Sequence, residues 1–260
     1  MITFLSLTSG SSGNATFISD GNSKILIDCG MSGSRLRSSL SEIDVDIADL
    51  DAVLITHEHS DHIKGLGVVA RKYHIPVYAT FKTFCGMKNI GEFDDSLKNA
   101  ISDELEIGNI GIKAFSIPHD AADPVGYNFF IDNQKLTLAT DIGTMDDDVF
   151  DAIKGSKYVI LESNHDVDIL RLGSYPYNLK KRILSPFGHL SNEDAAKTAL
   201  RLVQTGTEHF MLAHLSRENN LPEIAKVTTE NMLRSNDIKL GCDVTLTVAS
   251  REDITYFKAV

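Results

Sequence analysis

The sequence predicts an α/β chain in which two β-sheets are covered by helices. Three observations support this class. Strand-like segments cluster in the first half, and helix–strand alternation dominates the second. The composition is that of an ordinary globular chain, with 42% hydrophobic and 23% charged residues. No repeat, low-complexity run or linker interrupts the 260 residues, so one domain over 1–260 is expected.

The elements follow in order. Residues 2–7 and 15–19 alternate in part, and 24–28 (KILID) form a short apolar run, so three strands open the chain. Asp20-Gly21-Asn22-Ser23 has hairpin-turn chemistry. Leu36, Leu40 and Ile43 fall at helical spacing and predict a helix over 32–43. The run 50–56 (LDAVLIT) predicts a buried strand ending at His57, followed by a helix over 61–74 and a short strand over 76–79. Residues 81–105 are the least regular and are expected to form a short helix and loops. Strands return at 111–117, 125–131 and 135–140, the last two joined by Asp132-Asn133-Gln134. A helix over 146–153 precedes a strand over 158–161. The stretch 166–186 reads as helical with a break over 173–176. Ser191 fits the N-cap of an amphipathic helix over Asn192–Val203. A strand over 210–213, a helix over 222–235, and strands over 244–248 and 255–258 complete the expectation.

Composition removes several functional classes. The formal charge of −11 argues against coating nucleic acid or anionic lipid over a broad surface. It leaves room for a local basic patch. No apolar run approaches the ~20 residues of a membrane-spanning helix, so no membrane partner is expected. The first residues carry no basic segment and too short an apolar one for a secretion signal. Cys29, Cys85 and Cys242 are odd in number and far apart, which fits a reducing, cytoplasmic setting.

The segment Thr56-His57-Glu58-His59-Ser60-Asp61-His62 carries the chemistry. It holds three of the nine histidines at a strand-to-helix junction, where side chains converge outside a sheet edge. Imidazole suits zinc, iron and manganese, and carboxylate favours the harder ions. His57 and His59 can reach one ion from an extended segment; Asp61 and His62 can turn towards a second. Further ligand candidates follow strands: His119, Asp141 and His214. Asp61 is also a candidate to accept a proton from the nucleophile. Asp28, at the end of the KILID strand, is expected to orient a ligand histidine.

The order HxHxDH, then His, Asp and His, resembles the metallo-β-lactamase-fold hydrolases over the whole chain. The resemblance implies a four-layer αββα sandwich of two mixed sheets flanked by helices. It also implies two divalent ions, zinc or manganese with iron as a third candidate. One ion would take His57, His59 and His119, the other Asp61, His62 and His214, with Asp141 bridging. Such a centre lowers the pKa of a shared water, yields a hydroxide nucleophile and polarises the electrophile.

Substrate class is a separate question, since this fold serves esters, lactones and phosphodiesters alike. Gly188-His189-Leu190-Ser191 and the helix after it resemble the ribonuclease Z branch. There, a histidine matching His189 contacts the scissile phosphate or protonates the leaving oxygen, and a glutamate matching Glu162 orients it. Lys180-Lys181-Arg182, Arg171 and Arg217 are candidate phosphate contacts, with Lys181, Arg182 and Arg217 the foremost, and His165 is a further candidate near the site. The Gly/Ser loop 8–14 could line the site with backbone N–H groups, but it lacks the lysine of a phosphate-binding loop and reads rather as a plain connection. ESNHD, FGHLSNEDAA, LAHLSRENN and TSGSSGNA are similar to the YycJ/WalJ subgroup. That likeness implies a manganese-supported 5′→3′ DNA exonuclease linked to DNA repair, with DNA as substrate and repair proteins as partners. No inserted β-CASP domain fits between Asp141 and His214, and no tRNA-binding arm is evident. The competing expectation is a small ester or thioester hydrolase of the glyoxalase II or lactonase kind, which the charge of −11 favours.

Overall fold

The computed structural model describes residues 2–101 and 103–257. Strands β1 (Thr3–Thr8), β2 (Ala15–Ser19) and β3 (Lys24–Ile27) open the chain and lead into helix α1 (Gly33–Ser41). Strand β4 (Ala52–Leu54) is followed by α2 (Ser60–Ile63), α3 (Leu66–Tyr73), β5 (Val77–Ala79) and α4 (Phe81–Gly86). Five strands come next: β6 (Lys98–Ala100), β7 (Glu104–Ile107), β8 (Ile110–Ser116), β9 (Val125–Ile131) and β10 (Gln134–Ala139). Then come α5 (Asp147–Ile153), β11 (Tyr158–Glu162), α6 (Val167–Leu172), α7 (Tyr177–Ile183) and α8 (Asn192–Val203). Strand β12 (His209–Ala213), helix α9 (Pro222–Arg234), β13 (Thr245–Val248) and β14 (Thr255–Tyr256) finish the described chain. The expected last strand ran to Lys258, which lies outside the described residues.

The strands form two mixed sheets, ordered β14-β1-β2-β3-β4-β5-β6 and β13-β12-β11-β10-β9-β8-β7. In each, antiparallel hairpins at one side give way to parallel strands at the other, as in β3-β4-β5-β6 and β10-β11-β12-β13. Alternation along the strands builds the layers. In β3, Ile25 and Ile27 face a core shared with Tyr127, Phe129, Leu136, Ile160 and Met211 of the other sheet. Leu26 faces the opposite way, against Leu36, Leu40, Leu66 and Val69 of α1 and α3. On the far side, Val149, Ile153, Ala195, Leu202 and Leu233 of α5, α8 and α9 cover the second sheet. The αββα order is therefore the one expected. Among the described residues, no helix is long and apolar enough to cross a membrane.

Local chemistry explains the boundaries. Ser191 Oγ accepts from Asp194 N at 3.1 Å, capping α8 where expected, a contact worth about 1 kcal/mol. Asp132 and Asn133, at φ 48° and 61°, make the two-residue turn between β9 and β10. Two expectations fail. The helix expected over 61–74 is two helices with Gly65 between them. Gly65 N donates to Cys29 O at 2.8 Å, and a Cβ there would lie 2.1 Å from Met31 O, so the chain is drawn tightly onto the loop after β3. The irregular stretch 81–105 contains the edge strand β6 and the start of β7, whose outward residues are polar and hide the strand pattern.

Candidate metal centre

The two sheets bring their loops together at one end. Asp28 follows β3, and the segment 55–62 runs from β4 into α2. His119 follows β8, Asp141 follows β10, and His214 follows β12. Asp28, Asp141 and His214 all have left-handed backbones, φ 60°, 60° and 57°. Such strain at non-glycine strand ends is held by the surrounding structure and turns side chains inward.

His57 Nε2 and His59 Nδ1 lie 3.0 Å apart, and His59 Nδ1 and His119 Nε2 lie 3.3 Å apart. Opposite them, Asp61 Oδ2 lies 3.5 Å from both His62 Nε2 and His214 Nε2. Asp141 stands between the groups, with Oδ2 3.4 Å from His62 Nε2 and Oδ1 3.8 Å from His119 Nε2. Within each trio the possible donor atoms fall within 4.8 Å of one another. Tetrahedral donors about 2.1 Å from a cation are about 3.4 Å apart, so these spacings fit cation binding. The buried Asp141 Oδ2 and His214 Nε2 have no hydrogen-bond partner, which also fits.

A second ring of carboxylates orients the imidazoles. Asp28 Oδ2 accepts from His62 Nδ1 at 2.8 Å, and its Oδ1 accepts from Thr56 N at 2.9 Å. Glu162 Oε1 accepts from His189 Nδ1 at 2.8 Å and from His214 Nδ1 at 2.9 Å. Its Oε2 accepts from Ile142 N and Leu190 N at 2.8 and 3.1 Å. Gly188 O lies 3.0 Å from His119 Nδ1. Each of these contacts directs the other ring nitrogen towards the centre.

Charge follows geometry. Burial and the neighbouring imidazoles push His57 well below the ordinary histidine range, and burial lowers His119. Burial also disfavours charge on His62, but Asp141, Asp28 and Asp61 outweigh it and raise its pKa. His214 is buried too, yet Asp141, Asp61 and Glu162 lift it to about 10. Desolvation would raise Asp61, but His62 and His214 hold it far below the carboxylate range.

Residues 23–215 match the Beta-lactamase superfamily domain. The exodeoxyribonuclease YycJ of Bacillus anthracis is 42% identical over 241 residues, covering 92% of this chain and 91% of that one. The chain belongs to the β-lactamase superfamily. The exodeoxyribonuclease WalJ of Streptococcus pneumoniae serotype 2 is 44% identical over 242 residues, covering 91% of this chain and 90% of that protein. The metallo-β-lactamase fold protein YhfI of Bacillus subtilis superposes with a TM-score of 0.68 at 14% identity, over 98% of both chains, and supports the fold alone.

In this superfamily member the metal-binding candidates border a cleft of about 340 Å³, lined by His59, Asp61, Asp141, His189, His214 and Arg182 among others. His189 stands at the cleft, partly exposed. Arg182 is committed elsewhere: its Nη2 donates to Asp120 Oδ1 at 2.9 Å and its Nε to Asp120 Oδ2. Lys181 is exposed on α7 and is not part of the cleft lining. Lys180 Nζ donates to the carbonyls of Arg171 and Gly173. Arg217 lines a neighbouring cavity. His165 is buried behind the centre, and neither ring nitrogen has a hydrogen-bond partner.

The loop 8–14 corrects the sequence reading. Asn14 Nδ2 donates to Asp61 Oδ2 at 3.2 Å and lies 3.1 Å from His62 Nε2. Ser9 Oγ accepts from His214 N at 2.8 Å, and Ser11 lines the cleft. Asp120 was not singled out either, and Thr56 was named in its segment without a role. Thr56 Oγ1 donates to Asp28 and sits 3.0 Å from His57 Nδ1, and its place between Ile55 and His57 was the one available hint.

Proposed function

We propose that the chain is a single-domain, metal-dependent phosphodiesterase that degrades DNA from the 5′ end and serves DNA repair in the cytoplasm, alongside repair proteins. The observation that carries this reading is His189. It lines the cleft beside the metal-binding candidates, and its Nδ1 donates to the buried Glu162. That contact leaves Nε2 as the atom to hand a proton to a departing alkoxide, the arrangement a phosphodiester needs and a thioester does not. The two exodeoxyribonuclease relatives, similar over nine-tenths of the chain, support the same substrate class. The free cysteines Cys29, Cys85 and Cys242 support a reducing compartment.

Two divalent cations, zinc or manganese, fit the donor set and when bound would supply Lewis acidity and an activated water. His57, His59 and His119 would hold one, and Asp61, His62 and His214 the other. Asp141 reaches both groups. Asp28 and Glu162 fix the imidazole tautomers, and Asn14 holds the Asp61 carboxylate in place.

The test uses duplex DNA labelled at either end, with protein loaded with Mn²⁺ or Zn²⁺. Shortening from the 5′ end, abolished in His59→Ala, is the expected result. His189→Ala should keep its cations and lose most turnover. Intact DNA with both metals, together with turnover of a thioester or lactone panel, would replace this reading with the small-ester one.

A further inference from the structure

A second cavity of about 370 Å³ opens beside the cleft, lined by Ser12, Arg35, Leu215, Arg217, Ser250 and Arg251 among others. The two cavities share a wall. Ser11 lines one and Ser12 the other, while Leu215 faces this cavity between His214 and Ser216 of the cleft. Neighbouring residues of one backbone thus line both, so the two cavities adjoin.

The three arginines are an unusual group in a chain of net charge −11. Among the described residues, the arginine ion pairs are those of Arg182, Arg201 and Arg234, so Arg35, Arg217 and Arg251 have no carboxylate at pairing distance. The carboxylates of the cavity belong to the exposed Glu252 and Asp253, and Asp253 Oδ2 accepts from Ser250 Oγ at 3.3 Å. Arg251 is anchored: Nη2 donates to Ser216 O at 2.6 Å, and Thr8 Oγ1 donates to its carbonyl at 2.7 Å. Arg35 Nη2 donates to the same carbonyl at 2.8 Å. Arg251 Nε is buried with no partner. Burial and the nearby Arg217 both disfavour its charge. A fixed, partly desolvated guanidinium near another cation, with no carboxylate at pairing distance, suits an anion, and a forked guanidinium matches phosphate oxygens.

We infer that this cavity is a phosphate subsite, in which Arg35, Arg217 and Arg251 hold a phosphate next to the one cleaved in the adjoining cleft. The inference rests on the phosphodiesterase reading above and adds to it a place where the DNA strand is gripped. The gripped group is either the 5′-terminal phosphate or an internal one.

Fluorescence anisotropy on the metal-free protein tests it, with oligonucleotides carrying a 5′-phosphate or a 5′-hydroxyl over a range of salt. Arg217→Gln removes an exposed side chain and keeps the fold. Arg251→Lys keeps a charge while losing the fork. Each variant should bind DNA about tenfold more weakly, and Arg217→Gln should lower the salt slope by about one. A wild-type preference for the 5′-phosphate that the variants lose assigns the terminal group; equal weakening on both oligonucleotides assigns an internal one. Wild-type affinity and salt slope in both variants would overturn the inference. Turnover of bis(p-nitrophenyl) phosphate by the metal-loaded proteins separates the two levels. If the subsite exists, the ratio of DNA to small-diester turnover falls at least tenfold in the variants. An unchanged ratio with active wild type refutes the subsite alone. A wild type that cleaves neither substrate refutes the phosphodiesterase reading and the subsite with it.

Discussion

Replacing Asp28 by Asn probes the centre with little change in shape. Asparagine tolerates the left-handed backbone at φ 60°, so the main chain is spared. The amide, however, cannot serve both neighbours. With its oxygen kept on Thr56 N, its nitrogen meets His62 Nδ1, 2.8 Å away, and that nitrogen must become an acceptor. The ring proton then moves to Nε2, the atom 3.4 Å from Asp141 and 3.5 Å from Asp61, and a protonated Nε2 cannot ligate a cation. With the amide reversed, its nitrogen opposes the buried Thr56 N–H, at a cost of about 1–3 kcal/mol. Either way, affinity at the His62 group should fall about 10- to 100-fold, or ~1.4–2.7 kcal/mol. Calorimetric titration of metal-free protein with Zn²⁺, with bound metal counted by mass spectrometry, measures this. Wild-type affinity and stoichiometry in Asp28→Asn would refute the idea that Asp28 sets the His62 tautomer.

Glu162→Gln faces four donors with a group that accepts on one side only, so metal-free stability should drop by about 3 kcal/mol or more in urea; a loss under ~1 kcal/mol contradicts this. His165 is pushed down to about 4 by burial, below the ordinary histidine value, so the unfolded chain takes up a proton first as pH falls. The stability it contributes is full above pH ~6.5 and is lost progressively towards pH 4, by roughly 3 kcal/mol. His165→Leu should flatten that part of the pH–stability curve, and an unchanged curve would exclude His165 as its source. Gly30→Ala puts a Cβ 1.6 Å from Asp61 O and 2.5 Å from Asn14 N, both main-chain atoms. It should cost on the order of 3 kcal/mol or more and lower metal content together with Tm; a variant with normal Tm and metal content counts against that packing.

The cation-binding candidates were legible because imidazoles and carboxylates at strand ends stand out against an apolar pattern. His57, His119 and His214 each follow a segment read as a strand from the sequence. Their supports were less visible. Asn14 and Ser9 sit in a Gly/Ser loop whose composition fits any turn, and only the fold brings them to His62 and His214. Asp28, singled out from the sequence, contacts His62; that Glu162 contacts His214 as well as His189 was not foreseen, because the pairing spans three separate segments. Arg182 shows the converse. Its sequence context suggested a free cation, whereas Asp120, next to His119, takes it. Strand β6 escaped notice because an edge strand needs no apolar stripe, and the helix break at Gly65 is dictated by contact with Cys29 and Met31, distant in sequence.

The seam between the sheets gives the centre a mechanical meaning. His57 and His59 hang from the first sheet, and His119 from the second. An ion gripped by all three would rivet the two halves of the sandwich, as a crosslink would, but reversibly and with a strength set by supply. At a free-ion concentration a hundred times Kd, one such rivet adds about 2.7 kcal/mol against unfolding. The thermal midpoint of this protein then becomes a gauge of available metal: chelation should lower it, while the core shared by Ile25, Ile27, Tyr127 and Phe129 keeps the two sheets together.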